Sequence, residues 1–294
     1  MGIVNRTPDS FFDGGTHLGE DAAHARVDEL VRTGADVIDI GAESTRPGAE
    51  PVDAPSQISR IGDLVAYAVK SGALVSIDTT SPQVAEHALR AGARMINSVS
   101  LDPAAELGRL AARFDADLVL THSRGSMTAM TGFSEYAATG YGDLLTEVVA
   151  EWLSAAQLAL AAGVARERLW FDPGLGFNKN AEQSLELSVR LSELKARLGH
   201  PILVGASRKS YVAAAVAGAT TRPTPANRLG GSLAAALDCA ARGADMLRVH
   251  DVAETVQALA YRYAADAAFH RVNASTPATS ERHERSGGAA CSRD

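Results

Sequence analysis

An alternation constrains this chain more than any other feature. Eight short apolar runs recur along it: GIVN (2–5), DVIDIG (36–41), LVSIDT (74–79), MINSVS (95–100), LVLTHS (118–123), LWFDPG (169–174), ILVGAS (202–207) and MLRVHD (246–251). Between them lie longer stretches of helical periodicity rich in Ala, Leu, Glu and Arg, such as VAEHALRAGA (84–93) and LTEVVAEWLSAAQLALAAGV (145–164). Gly34, Gly92, Gly163 and Gly243 stand where those helices would end. Strands with nearly continuous apolar runs are buried on both faces, and strand–helix alternation demands right-handed parallel crossovers. Eight units within about 250 residues predict an α/β fold, a single-domain (β/α)8 TIM barrel, over residues 1–270. An open doubly wound sheet is the competing arrangement. Residues 271–294 have the composition of a disordered tail.

Composition narrows the partners. The 294 residues are 46% hydrophobic and 21% charged, which suits a buried core. The net charge of −7 comes from interspersed acids and bases rather than blocks, so no nucleic-acid footprint is present. Cys239 and Cys291 lack metal-ligand spacing, no cleavable apolar leader is visible, and no uncharged apolar stretch reaches the ~20 residues that cross a bilayer. A cytoplasmic protein with no membrane partner is expected. Besides that tail, two segments break the alternation: 42–55, a candidate functional loop, and 123–143, which could cover one side of a site; the polar, Gly-closed loop at 5–15 raises the same question at the start of the chain.

In a barrel of this kind chemistry gathers at the C-terminal ends of the strands. The runs deliver Asn5, then Glu43 and Arg46, Asp78, Asn97, His122, Asp172, the Ser207 to Ser210 stretch, and finally Arg248, His250 and Asp251. Singly, each has a bland reading. Asp78 could cap the helix after it, Asp172 could belong to a plain Asp-Pro-Gly turn, and Arg46 and Arg208 could be solvated. Asn97 within an apolar strand is harder to dismiss, because an unpartnered buried amide costs a few kcal/mol. Asp78, Asp172 and Asn97 suit a flat heterocycle with a row of N–H donors, and Lys209 suits a ring acceptor. Arg46, Arg248 and His250 suit phosphate or pyrophosphate.

The motifs NRTPDSFFDGG (5–15), ESTRPGA (43–49), SIDT (76–79), IN (96–97), DPGLGFNKN (172–180), GASRKS (205–210), RLGGS (228–232) and RVHD (248–251) occur together and in order. In them the chain resembles the dihydropteroate synthase family of pterin-binding enzymes. The resemblance implies a barrel that condenses 6-hydroxymethyl-7,8-dihydropterin pyrophosphate with p-aminobenzoate, with Mg²⁺, as a homodimer. It implies that Asp78, Asn97, Asp172 and Lys209 hold the pterin, with Arg248 against its ring. Asn5, Arg46, Arg248 and His250 would bind the pyrophosphate, and Asn5 would also meet Mg²⁺. Thr45, Pro47, Ser210 and Phe11 would border p-aminobenzoate, and Asp9, Phe11 and Asp13 would fold over the site.

The chain departs from the family pattern at Arg6, Ser98 and 121–123, and it starts at strand one without the segment that commonly precedes it. A buried Arg6 would need a carboxylate partner. Two other readings stay open: methyl transfer from methyltetrahydrofolate to a corrinoid protein, and a pterin-binding paralogue without catalysis.

Overall fold

The computed structural model describes residues 1–7, 16–44, 50–124, 140–216 and 224–275. Among these described residues are eight parallel strands: β1 Gly2–Asn5, β2 Val37–Gly41, β3 Leu74–Asp78, β4 Met95–Ser98, β5 Asp117–Thr121, β6 Leu169–Asp172, β7 Leu203–Val204 and β8 Met246–Leu247. The ladder runs β1 to β6 in order, and β7 pairs with β8. Single parallel bridges, Phe171 to Ile202 and Gly2 to Val249, join the two pieces at both edges. The ring is closed, so the eightfold alternation is a (β/α)8 barrel and not an open doubly wound sheet.

Helices wrap the ring: α1 Thr16–Arg32, α2 Ala54–Ile61, α3 Leu64–Lys70, α4 Pro82–Arg90, α5 Ala104–Phe114, α6 Leu144–Ala161, α7 Ala181–Val189, α8 Leu191–Leu198, α9 Ser210–Val216, α10 Leu229–Ala241 and α11 Val252–Ser275. Their starts use side chains as caps. Asp53 accepts from Ser56 N and Asp143 from Thr146 N, while Asn180 and Gln183 form a reciprocal capping box. Gly34, Gly92, Gly163 and Gly243 all have the positive φ expected at helix ends. The last helix runs to Ser275, past the boundary expected at residue 270, and the remaining residues of the expected tail lie outside those described.

Register explains the interior. Side chains two apart share a face of a strand. Met1, Val37, Met95, Val119 and Leu203 form one buried apolar cluster, with Trp170 and Met246 packed against it. One step of two residues further along the same faces stand Asp39, Asn97, Thr121, Asp172 and Arg248. The barrel is therefore apolar at its base and polar immediately above. The larger cluster, including Ile38, Ile40, Ile77, Leu118, Leu120 and Phe171, lies between strands and helices.

Strands β7 and β8 are shorter than the sequence suggests, because after Val204 and Leu247 the chain turns to bring Ser207 to His250. Among the described residues one helix, α6, is long and apolar enough to cross a membrane by length and composition. It packs instead on the barrel, with Trp152 buried and its indole N–H donating to Leu120 O at 2.9 Å.

Helix α5 meets α6 at Gly108, where an added Cβ would stand 2.9 Å from Ala159 Cα. The Gly108→Ala variant is expected to lose about 1–3 kcal/mol by overpacking, read as a lower urea midpoint with unchanged slope.

Candidate active site

Arg248 organises the floor of the barrel mouth. Its Nε donates to Asp39 Oδ2 and its terminal nitrogen to Asp78 Oδ2, both at 2.6 Å. Asn97 Nδ2 donates to the same Asp39 oxygen at 3.1 Å. Adjacent register, with Gly41 beside Asp78 and Asp78 beside Asn97, places these groups on neighbouring strands. Three buried polar atoms in this layer, Asp39 Oδ1, Ser76 Oγ and Asn97 Oδ1, have no partner among the described residues. A folded protein rarely leaves such atoms orphaned unless a ligand or water completes them.

Charge on the floor is set by burial. Burial drives the Asp78 carboxyl up to about 7, against the pull of Arg248. It also raises Asp172, which Lys209 pulls the other way. Burial disfavours the Arg248 cation, yet Asp39 and Asp78 hold its pKa above the usual value. Asp78 does not cap the next helix: Ser81 does, its hydroxyl accepting from Val84 N.

The loop after β6 carries the second acidic group. Asp172 Oδ1 accepts from Gly174 N at 2.7 Å, so the turn reading holds, and the same carboxylate faces Lys209 electrostatically. Lys209 Nζ donates to Leu175 O and lies 4.1 Å from the centre of the Phe177 ring. Burial pushes this lysine down to about 8. Gly205 sits beside both cations, an added Cβ falling 3.9 Å from Arg248 Cβ and 4.0 Å from Lys209 Nζ.

At the rim, Asn5 ends β1 in register with Gly41. Ser207 Oγ accepts from His250 N at 3.2 Å and lies 3.1 Å from His250 Nδ1. Ser210 opens α9 beside Lys209. Arg208 is no solvated charge: it has a positive φ and an ion pair with Asp251, while its backbone N–H donates to Ser232 Oγ. Glu43 accepts from Val52 N at 2.9 Å and from Gln57 Nε2 at 3.2 Å, which ties the strand-two loop to α2. Asp9, Phe11, Asp13, Thr45, Arg46 and Pro47 lie outside the described residues.

Arg6 is only partly buried, and among the described residues its guanidinium donates to Arg60 O at 2.8 Å and Gly19 O at 2.6 Å. The first acceptor lies in the last turn of α2, where the helix dipole favours a cation. Among the residues the sequence did not single out, Asp39 is central, and Lys179 also supports the site.

Two buried histidines make stability acid-sensitive. Burial holds His122 and His250 down to about 4, against an unfolded value near 6.5. A base whose folded pKa is lowered contributes stability above its unfolded pKa and loses it as pH falls through the folded one. Denaturant unfolding is expected to show stability falling from pH 6.5 to 4, with a shallower slope in His122→Gln. Equal slopes in both proteins would rule this out.

An acidic, incompletely paired floor at the mouth of a (β/α)8 barrel has the layout of an enzyme site. Residues 1–250 match the family model described as "Pterin binding enzyme". The chain belongs to that family, and within it to the dihydropteroate synthases. It is 41% identical over 261 residues to the dihydropteroate synthase of Synechocystis sp., covering 87% of this chain and 86% of that one. The Xanthomonas albilineans dihydropteroate synthase with 4-aminobenzoic acid superposes with a TM-score of 0.81 at 38% identity, over 90% of this chain and 92% of that one. The same enzyme with 7,8-dihydropteroate gives a TM-score of 0.77 at 36% identity, with the same two coverages.

Proposed function

We propose that the chain condenses 6-hydroxymethyl-7,8-dihydropterin pyrophosphate with p-aminobenzoate, giving 7,8-dihydropteroate and pyrophosphate for folate biosynthesis. The observation that carries the site assignment is the set of orphaned oxygens on β2, β3 and β4, Asn97 Oδ1 foremost. A pterin edge offers the N–H donors they lack. Asp172 accepts from the same edge, Lys209 donates to a ring acceptor, and the flat guanidinium of Arg248 lies against the ring.

The pyrophosphate sits at the rim. Arg46 and Arg248 meet its oxygens, and His250, neutral at pH 7 through burial, contributes an N–H without charge. Asn5 suits Mg²⁺: it presents an amide oxygen at the end of β1, and this cation needs few protein ligands when phosphate oxygens and water supply the rest. When bound, Mg²⁺ neutralises charge on the pyrophosphate. The C–O bond breaks with its electron pair leaving on pyrophosphate, and Asp78 and Asp172 stabilise the cationic pterin methylene by Coulomb attraction. The aromatic amine then forms the C–N bond and releases its proton to water. Thr45, Pro47, Ser210 and Phe11 border that amine, and Asp9 and Asp13 join the cover that keeps water out.

The protein works in the cytoplasm as a homodimer. The exposed rings of Tyr261, Tyr263 and Phe269 on α11 support a partner surface there. Light scattering at twice the monomer mass checks it.

Pyrophosphate release with product mass tests the activity. Wild type is expected to form dihydropteroate, and Asp172→Asn to lose roughly 10- to 100-fold in kcat/KM, the worth of one hydrogen bond to a charged group. Tight pterin binding without product would overturn the catalytic reading.

A further inference from the structure

Lys179, in the loop after β6, is fully buried. Its Nζ reaches four acceptors: His122 O at 2.9 Å, His122 Nδ1 at 3.0 Å, Phe177 O at 3.2 Å and Gly174 O at 3.3 Å. Burying an amino group so completely is costly, and burial pushes this one down to about 7, with Asp172 pulling the other way. A methionine would fill the same space without that cost, so the polar group calls for an account beyond packing.

The acceptors supply one. Two are carbonyls of the loop between β6 and α7, and two belong to the end of β5. That loop holds three residues in the left-handed region, Gly174, Gly176 and Asn178. A segment of this shape persists only when its surroundings fix it. It also carries contacts of the site: Gly174 N donates to Asp172 Oδ1, Leu175 O accepts from Lys209 Nζ, and the Phe177 ring lies beneath that ammonium.

Behind Lys179 the bonding is ordered. If His122 Nδ1 accepts from lysine, the imidazole proton is on Nε2, which lies 3.0 Å from Glu151 Oε2. Glu151 in turn accepts from Arg124, and the Arg124 guanidinium stacks 3.8 Å from the Tyr141 ring centre. His122 is thereby held neutral as an acceptor, and the lysine is directed from the helix side.

We propose that Lys179 is a positioning residue for pterin recognition: it clamps the Gly174 and Phe177 carbonyls to the end of β5 and so sets the places of Asp172 and Lys209, while touching no substrate itself. The inference rests on the pterin-pocket reading above. The Glu151 carboxylate on α6 extends it, as the group that fixes the His122 tautomer.

Calorimetric titration with a dihydropterin lacking the pyrophosphate, together with separate KM values for both substrates, tests it on folded protein checked by circular dichroism. Lys179→Met is expected to weaken pterin binding by about tenfold or more and to raise the pterin KM alike, with the p-aminobenzoate KM within about twofold. Glu151→Gln, on a partly exposed helix face, should weaken pterin binding about threefold. A purely structural lysine would lower the melting temperature and leave both constants of the folded fraction unchanged, and that result overturns the proposal. Should Lys179→Met fail to fold, Glu151→Gln decides: unchanged pterin affinity there overturns it too. Asp172→Asn separates the two readings. If it retains full pterin affinity, the pocket assignment has failed; if it loses affinity while Lys179→Met keeps it, only the positioning role has failed.

Discussion

Arg248→Met is expected to destabilise the protein by about 3–5 kcal/mol, the usual result of removing one partner from a buried ion pair. Arg248 bridges Asp39 and Asp78, each at 2.6 Å. Without it the wholly buried Asp39 keeps, among the described residues, the Asn97 amide. The loss should depend on pH in a definite direction. Asp78, already raised by burial, loses the guanidinium that pulls it down and rises further, so the variant is relatively more stable at low pH and weakens as pH rises. The gap from wild type is therefore wider at pH 8 than at pH 5.5. Adding Asp39→Asn should return part of the lost stability, because a neutral amide costs less to bury than a lone charge. Urea titrations of the four proteins of this cycle provide the measurement. An Arg248→Met midpoint equal to wild type at pH 8 would mean that the ion pairs contribute nothing net.

The same network shows what sequence could and could not disclose. The fold was legible because it rests on local periodicity: apolar runs that close on polar residues, and glycines at helix ends. That Asp78, Asn97, Asp172 and Arg248 share the barrel mouth was legible because each falls at or next to a strand end, and Lys209 follows β7 in the next turn. Asp39 was not. It stands mid-strand in VIDIG, and its partner Arg248 is 209 residues away. No spacing rule connects them, and only closure of β8 onto β1 brings them together. A carboxylate flanked by isoleucines in a buried strand was nonetheless a signal of the same kind as Asn97.

Lys179 stayed hidden for a similar reason, since its acceptors come from β5 and from carbonyls, which sequence does not distinguish. Arg6 is a different case: it is only partly buried, and carbonyls near a helix C-terminus meet its guanidinium. The short extents of β7 and β8 reflect competition between ladder and site. Arg248 N still donates to Val204 O at 2.9 Å, but beyond it Ser207 bonds His250 instead of extending the strand.

Gly174→Ala is the sharpest single-atom test of the β6 loop. Gly174 has φ +65, and an added Cβ would lie 1.9 Å from His122 O and 3.2 Å from Lys179 Nζ. The left-handed conformation alone costs about 1–2 kcal/mol for a residue with a Cβ. Overpacking typically adds about 1–3 kcal/mol, and a 1.9 Å approach to a backbone oxygen cannot be relieved by a rotamer change. The loop must move away from β5, which breaks the bond between Gly174 N and Asp172 Oδ1 and takes Leu175 O from Lys209. We expect a loss of about 3 kcal/mol or more in stability and a fall of roughly a hundredfold or more in kcat/KM for the pterin substrate. Gly72→Ala is the matched control, because Gly72 has φ +86 with nothing within 4 Å of its added Cβ. It should show the conformational cost alone and full activity. If the two variants lose equal stability, the close approach to His122 contributes nothing and backbone conformation accounts for the whole effect. If Gly174→Ala is much the weaker and also inactive, the contact between the β5 end and the β6 loop is what holds Asp172 in place.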